Sequence, residues 1–235
     1  MGTVTDDPRL RNREQVFLDR HEAGRRLGEF VKGLIGLRRP VVAAIPAGGV
    51  PVGIGVARET GAPLVISVVR KIAIPWNPEA GFGAIGWDEQ VCMNDEMLPY
   101  LHLTDREIDA AIEKTLGNVR ERVRKFGGEP AGSLFAGGAV LLTDDGLASG
   151  YTMMAAIRAT RRMRPAEVIV AVPTASDSAV RKIAPLCDRI VCLNIRSGSS
   201  FAVASAYREW HDLTDEEVYS LLSGARMEGL IPDKY

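Results

Sequence analysis

Two adjacent carboxylates, Asp144 and Asp145, close an apolar run and open onto a small-residue turn in the segment VLLTDDGLASGYT, Val140–Thr152. An ionised carboxylate accepts hydrogen bonds at both oxygens, so neighbouring acids can hold the hydroxyls of a sugar. The residues behind them suit a different group. Gly146, Ala148, Ser149 and Gly150 let the main chain approach a ligand closely. The amides of a helix start donate to phosphate, and Ser149 and Thr152 add hydroxyl donors. Acid pair and phosphate cradle within one turn of each other suit a sugar phosphate.

Two further segments carry compatible groups. PAGGVPVG, Pro46–Gly53, is a glycine turn that runs into a helix, with Ala47, Gly48 and Gly49 at its bend. Arg70–Lys71 is a basic pair that opens a stretch punctuated by Pro75, Pro78, Gly81, Gly83 and Gly86.

The elements that must position these groups follow from the hydrophobic pattern. Short apolar, β-branched runs alternate with amphipathic segments of helix length, the pattern of crossover units feeding a parallel sheet. Strands are expected at Val41–Pro46, Leu64–Arg70, Ala139–Thr143, Glu167–Val172 and Arg189–Asn194. Each is nearly continuous in apolar character, as strands covered on both faces are. Helices are expected near Asp19–Gly36, Val50–Gly61, Thr104–Phe126, Ser149–Met163 and Ser176–Leu186, and Thr104 with Glu107 makes a capping box for the third. The fold class is therefore α/β: a Rossmann-like open parallel sheet of about five strands flanked by helices. In such sheets ligands bind at the carboxyl ends of the strands, where Asp144 and Asp145 stand.

Two stretches break the alternation. Lys71–Asn94 has too much proline and glycine for a helix, and GAIGWDEQVCMN at its end is expected to form a β-hairpin turning at Gly86–Glu89. A long loop of this kind is usually a binding element, so residues 71–94 are expected to be a flexible loop. From Ser197 onward, Phe201, Tyr207, Trp210 and a helix N-capped at Thr214 are expected to fold back on the N-terminal helix as a small subdomain. The expected division is a core over residues 15–196 and this appendage over residues 197–235.

Composition narrows the function. The 29 basic and 30 acidic residues are spread along the chain for a formal charge of −1, which gives no global field for a polyanion such as nucleic acid. Cys92, Cys187 and Cys192 form no C-x-x-C pair, and His21, His102 and His211 lie far apart, so disulfides and a zinc site are not expected. No apolar run approaches the length that spans a bilayer, and the first residues lack the apolar stretch of a signal peptide, so a cytoplasmic protein is expected. His21 is expected on the surface, and Arg158–Arg164, four arginines closing a helix before Pro165, complement that helix's dipole.

The Val140–Thr152 segment resembles the fingerprint by which type I phosphoribosyltransferases bind 5-phosphoribosyl 1-pyrophosphate (PRPP): four mainly apolar residues, two acids, then a loop containing Gly and Thr. The resemblance implies Mg²⁺-dependent transfer of the phosphoribosyl group from PRPP to a nucleobase-like or other nitrogen acceptor. It implies that Asp144 and Asp145 hold the ribose hydroxyls, with Mg²⁺ carried mainly by PRPP beside them. Gly146, Ala148, Ser149, Gly150, Tyr151 and Thr152 are then the 5′-phosphate loop. Pro46–Gly53 takes the position of the family's pyrophosphate loop, departing from it at Ala47, where many relatives carry a basic residue. Arg70 and Lys71 open the segment that looks like the catalytic loop, where cations meet the departing pyrophosphate. Pro173 and Thr174, in PTAS after the fourth strand, and Phe201 in a short hood fall on the acceptor side. The likeness covers most of residues 15–225 and implies small-molecule substrates and a homodimer. It leaves one alternative open, a PRPP-sensing regulator of the same fold. A nicotinamide-dependent oxidoreductase is disfavoured, because no G-x-G-x-x-G follows the first strand.

Overall fold

Segments apolar on every side become interior strands, and those with one apolar stripe become the helices that cover them. The computed structural model of the chain describes residues 2–34, 36–95, 97–127, 132–198 and 200–233. In chain order its elements are β1 (Thr3–Asp6), α1 (Arg20–Leu34), β2 (Val41–Ala44), α2 (Gly49–Thr60), β3 (Leu64–Ile66), β4 (Val69–Ile74), β5 (Asn77–Gly86) and β6 (Val91–Met93). There follow α3 (Asp105–Phe126), α4 (Gly132–Phe135), β7 (Ala139–Thr143), α5 (Tyr151–Arg162), β8 (Glu167–Ser176), α6 (Asp177–Ile183), β9 (Arg189–Arg196) and α7 (Asp215–Met227).

The main sheet has six parallel strands in the order β1-β9-β8-β7-β2-β3. Five were expected, and the sixth is β1, whose sequence TVTD is exposed at Thr3 and Val4, half-buried at Thr5 and Asp6, and carries no apolar run. It pairs with β9 from Thr3↔Arg189 to Asp6↔Cys192, so the sheet reaches past the expected core boundary at residue 15. β2 and β7 are buried along their whole length, which is why their sequences show no alternation.

The expected strand Leu64–Arg70 is in fact two. β3 ends at Ile66, and β4 turns away to join β5 and β6 in a separate three-stranded antiparallel sheet. The hairpin at Gly86–Glu89 is present, with the Glu89 amide donating to the Gly86 carbonyl at 2.9 Å. The stretch 71–94, expected to be a flexible loop, is therefore mostly sheet. Its glycines serve close approach rather than looseness: a Cβ on Gly81 would overlap the stem of Lys71 lying across it. Phe82, Ala84 and Ile85 are fully buried between this sheet and the helices packed on it.

The expected helices form with small changes at their ends, although Ile35, inside the first of them, lies outside the described residues. Thr104 and Glu107 make the reciprocal capping box that starts α3, and Thr214 with Glu217 makes a second one at α7. The tail folds back on the segment just before α1: Phe17 and Tyr207 bridge in parallel, and the amides of Arg208 and Glu209 donate to Phe17 and Leu18 at 2.9 and 2.8 Å. All three cysteines are buried and free.

Helices α1 and α2 touch backbone to backbone. A Cβ on Gly24 would stand 2.6 Å from the Val52 carbonyl oxygen, and one on Gly55 would stand 2.5 Å from the Gly24 carbonyl carbon. This crossing sets how far the start of α1 reaches over the sheet. Gly55→Ala should force the helices apart and lower stability by about 1–3 kcal/mol, as overpacking does. A urea midpoint unchanged from wild type would show that the crossing has room to spare.

Candidate functional site

The carboxyl ends of β2, β7 and β8 lie along one edge of the main sheet, and a cavity of about 480 Å³ opens there. Its walls are Asp144, the whole stretch from Gly146 to Met153, and, from the antiparallel sheet, Lys71. Val203 of the tail closes one side. Acid, turn and one member of the basic pair, spread over more than seventy residues of sequence, thus face a common space.

The turn is built to leave its amides open. Gly150, the N-cap of α5, sits in left-handed backbone (φ 82°) and offers no side-chain cap. The amides of a helix's first turn have no helical acceptor, and the residues that carry them here, Tyr151, Thr152 and Met153, all line the cavity. What fixes the turn is the strand behind it. The Leu147 amide donates to the Thr174 carbonyl at 3.0 Å, the Ser176 amide to the Leu147 carbonyl at 2.9 Å, and the Ser176 hydroxyl to the Ala148 carbonyl at 2.7 Å. Lys182 stands 4.1 Å over the Tyr151 ring and donates to the Ser149 carbonyl at 3.3 Å. A rigid nest of donors with a cation beside it is a site for an anion.

The two acids differ in surroundings. Asp144 lines the cavity and accepts the Asp145 amide at 2.9 Å. Burial, and after it the charge of Asp145, pushes the Asp144 carboxyl well above its ordinary value. Asp145 turns inward, where Nε of Arg20 donates to it at 2.9 Å. Burial raises its pKa as well, against the opposing pull of Arg20. Arg20 is itself only 7% exposed. It lies 3.7 Å over the Trp210 ring and donates to the His211 carbonyl at 2.9 Å, while the Tyr207 hydroxyl donates to the Asp145 carbonyl at 2.5 Å.

The first glycine turn meets the acids directly. A Cβ on Gly48 would overlap the Asp145 carboxylate, and one on Gly49 would stand 2.6 Å from the Thr143 carbonyl oxygen. The Gly49 amide is taken by the Ile45 carbonyl at 3.0 Å and the Val50 amide by the Ala47 carbonyl at 3.1 Å, which leaves the Ala47 and Gly48 amides without a backbone acceptor among the described residues. The Pro46–Ala47 peptide is cis.

The structure divides the other candidates. Lys71 lines the cavity and Arg70 does not; Arg70 lines instead a separate cavity between β4 and α3, which Lys71 also borders. Pro173 and Thr174 belong to β8, which runs on to Ser176, and Thr174 is fully buried with its hydroxyl donating to the Asn194 side chain at 2.7 Å. Phe201 packs under Arg196, 5.3 Å from ring centroid to guanidinium. Sequence reasoning missed Arg20 and Tyr207 as parts of the site. For Arg20 a signal existed: it precedes Ala23, Gly24, Leu27 and Val31 at helical spacing, which places it on the buried face of α1.

Known proteins share the sequence and the fold of this chain. A model of the phosphoribosyl transferase domain matches residues 91–206. Two Mycobacterium tuberculosis relatives, each named "putative phosphoribosyl transferase", are 36% identical over 214 residues, which is 91% of this chain and 48% of theirs. The chain thus spans about half the length of these curated relatives. The crystal structure of a Thermus thermophilus protein, 33% identical, superposes with a TM-score of 0.71 over 88% of this chain and 97% of that one.

Arg20→Met should leave Asp145 buried without its cation and lower stability by about 3 kcal/mol. Adding Asp145→Asn to it should recover part of the loss. Chemical denaturation of the two variants checks the pair, and equal midpoints would show that Arg20 acts through its ring stacking alone.

Proposed function

Because the chain belongs to the phosphoribosyl transferase family, we propose that it transfers the 5-phosphoribosyl group of PRPP to an acceptor nucleophile and releases pyrophosphate, with Mg²⁺ required. The observation that carries this reading is a single cavity holding an acid, an uncapped helix start and a lysine on the facing wall. In this reading the amides of Ala148–Thr152 hold the 5′-phosphate, and Asp144 accepts from the ribose hydroxyls. Asp145, pressed against Gly48, sits between the ribose and the turn whose Ala47 and Gly48 amides receive pyrophosphate.

The bond from C1 of the ribose to the pyrophosphate oxygen breaks as the acceptor forms its bond to C1, and negative charge gathers on the leaving group. Lys71 faces that charge, and a positioned cation stabilises it more in the transition state than in the substrate. Most of the acceleration comes from orientation and electrostatics, since no side chain here need form a covalent bond.

The residues present fit Mg²⁺ in its usual manner. Among the described residues no group of three or more His, Cys, Asp or Glu could hold a metal alone. Mg²⁺ commonly takes one or two carboxylates and completes its shell with substrate oxygens and water, and Asp144, which lines the cavity, would supply the protein's share. When bound, the ion would neutralise pyrophosphate and act as a Lewis acid.

One observation favours a second reading, a PRPP-binding regulator that does not turn over: Ala47 brings no cation to the pyrophosphate turn. The two separate in one assay. With PRPP, Mg²⁺ and a panel of nucleobases and other nitrogen nucleophiles, the wild type should release pyrophosphate. Lys71→Gln should lower kcat about 10²–10³-fold, with ribose 5-phosphate binding largely kept, as expected for a group that acts on charge developing in the transition state. Tight PRPP binding with no release for any acceptor would establish the regulator. No affinity for PRPP or ribose 5-phosphate by calorimetry would remove both readings.

A further inference from the structure

The second cavity, between β4 and α3, has a volume of about 910 Å³ and takes no part in the reading above. Glu107, Ala111, Lys114 and Asn118 line it at helical spacing, so one face of α3 forms a wall. β4 forms the opposite wall, and Asp212 of the tail stands exposed at the rim. The volume lies within the range of roughly 300–1,000 Å³ common for small-molecule sites.

Arg70 gives the cavity its character. The residue is half-buried, and among the described residues its guanidinium has neither a hydrogen-bond nor an ion-pair partner. Burial and then the neighbouring Arg122 press its pKa down, with Asp215 opposing, yet an arginine stays charged. Asp215 acts on it only at a distance and forms its close ion pairs with Arg122 at 2.6 Å and Lys125 at 3.3 Å. Of the acids on the wall, Glu107 is engaged with Thr104, whose amide donates to it at 2.9 Å. A half-buried guanidinium with five unspent donors facing a cavity lacks one thing, an anion of matching fork geometry.

Position gives the cavity its use. Lys71 lines both cavities, so a molecule in the second lies against the residue that faces the first. Resting on the phosphoribosyl-transfer reading, we propose that the cavity between β4 and α3 is the acceptor subsite and that it takes a nucleophile bearing a carboxylate or phosphate group held by Arg70. The acceptor's nitrogen lone pair forms the bond to C1 while the C1–oxygen pair leaves with pyrophosphate. The nitrogen's proton passes to solvent, and the anionic group at Arg70 is unchanged throughout.

The test is saturation-transfer NMR with benzoate, phenyl phosphate and benzamide on the full chain, beside calorimetry with ribose 5-phosphate. At least one of the two anions should bind about tenfold more tightly than benzamide, the worth of one charge-assisted hydrogen bond. Which of them does so separates a carboxylate from a phosphate acceptor. Arg70→Gln should abolish the preference, and Ala111→Phe, which fills the cavity, should abolish binding of all three probes. Both variants should keep ribose 5-phosphate affinity within about twofold, less than any single lost contact would change it. Equal binding of benzoate and benzamide, no binding of any probe, or a preference that survives in Arg70→Gln overturns the proposal. Failure of the wild type to bind ribose 5-phosphate is a separate result and strikes the phosphoribosyl reading instead.

Discussion

A buried charge that must be answered organises this molecule. Asp145 sits at the end of an interior strand with no room to turn away, because the Gly48 turn presses on it from one side. Arg20 answers it from the other at 2.9 Å. Desolvating both members of such a pair is expensive, so the geometry has to be held by further contacts. Here Trp210 lies under the guanidinium, the His211 carbonyl accepts from it, and Tyr207 ties the Asp145 backbone. Three distant parts of the chain, α1, the turn after β2 and the tail after β9, thereby converge on one residue and its cation. Asp144, next in line, is left facing the cavity.

The glycines between α1 and α2 serve the same end. Arg20 reaches Asp145 only if the first turn of α1 lies close over the sheet, and the Gly24–Gly55 contact brings the two helix backbones together. The aromatic residues of the tail pack as a chain, with Phe17 and Tyr207 at 5.7 Å and Tyr207 and Trp210 at 5.1 Å between ring centroids. They form a wall behind the ion pair rather than a surface open to a ligand.

How much of this was legible in the sequence depended on whether the signal was local. Val140–Thr152 shows strand, acid pair and phosphate turn within thirteen consecutive residues, each feature read from its neighbours, and the structure faces Asp144 and the turn into one cavity. Thr104 with Glu107 was likewise local and correct. β1 was missed because an edge strand of four residues needs no apolar run when its partner strand supplies the ladder. The stretch 71–94 has the glycine content of a loop, yet those glycines make room inside a sheet, Gly81 for the Lys71 stem and Gly83 for the Cys92 carbonyl. Arg70 and Lys71 read as one basic pair, yet they part in what they face: both line the cavity against α3, and Lys71 alone also lines the one beside Asp144. The end of β8 failed for the opposite reason. Pro173 suggested a strand end, yet the parallel pairing with β9 resumes at Thr174.

Lys71, as the shared wall of two cavities, has a thermodynamic consequence. A side chain that two occupants both touch cannot settle for one without altering what the other meets. By the reciprocity of linked equilibria, whatever factor the first occupant imposes on the second's affinity, the second must impose on the first. Order of arrival is then a kinetic preference, while the ternary state has a single free energy whichever side is filled first.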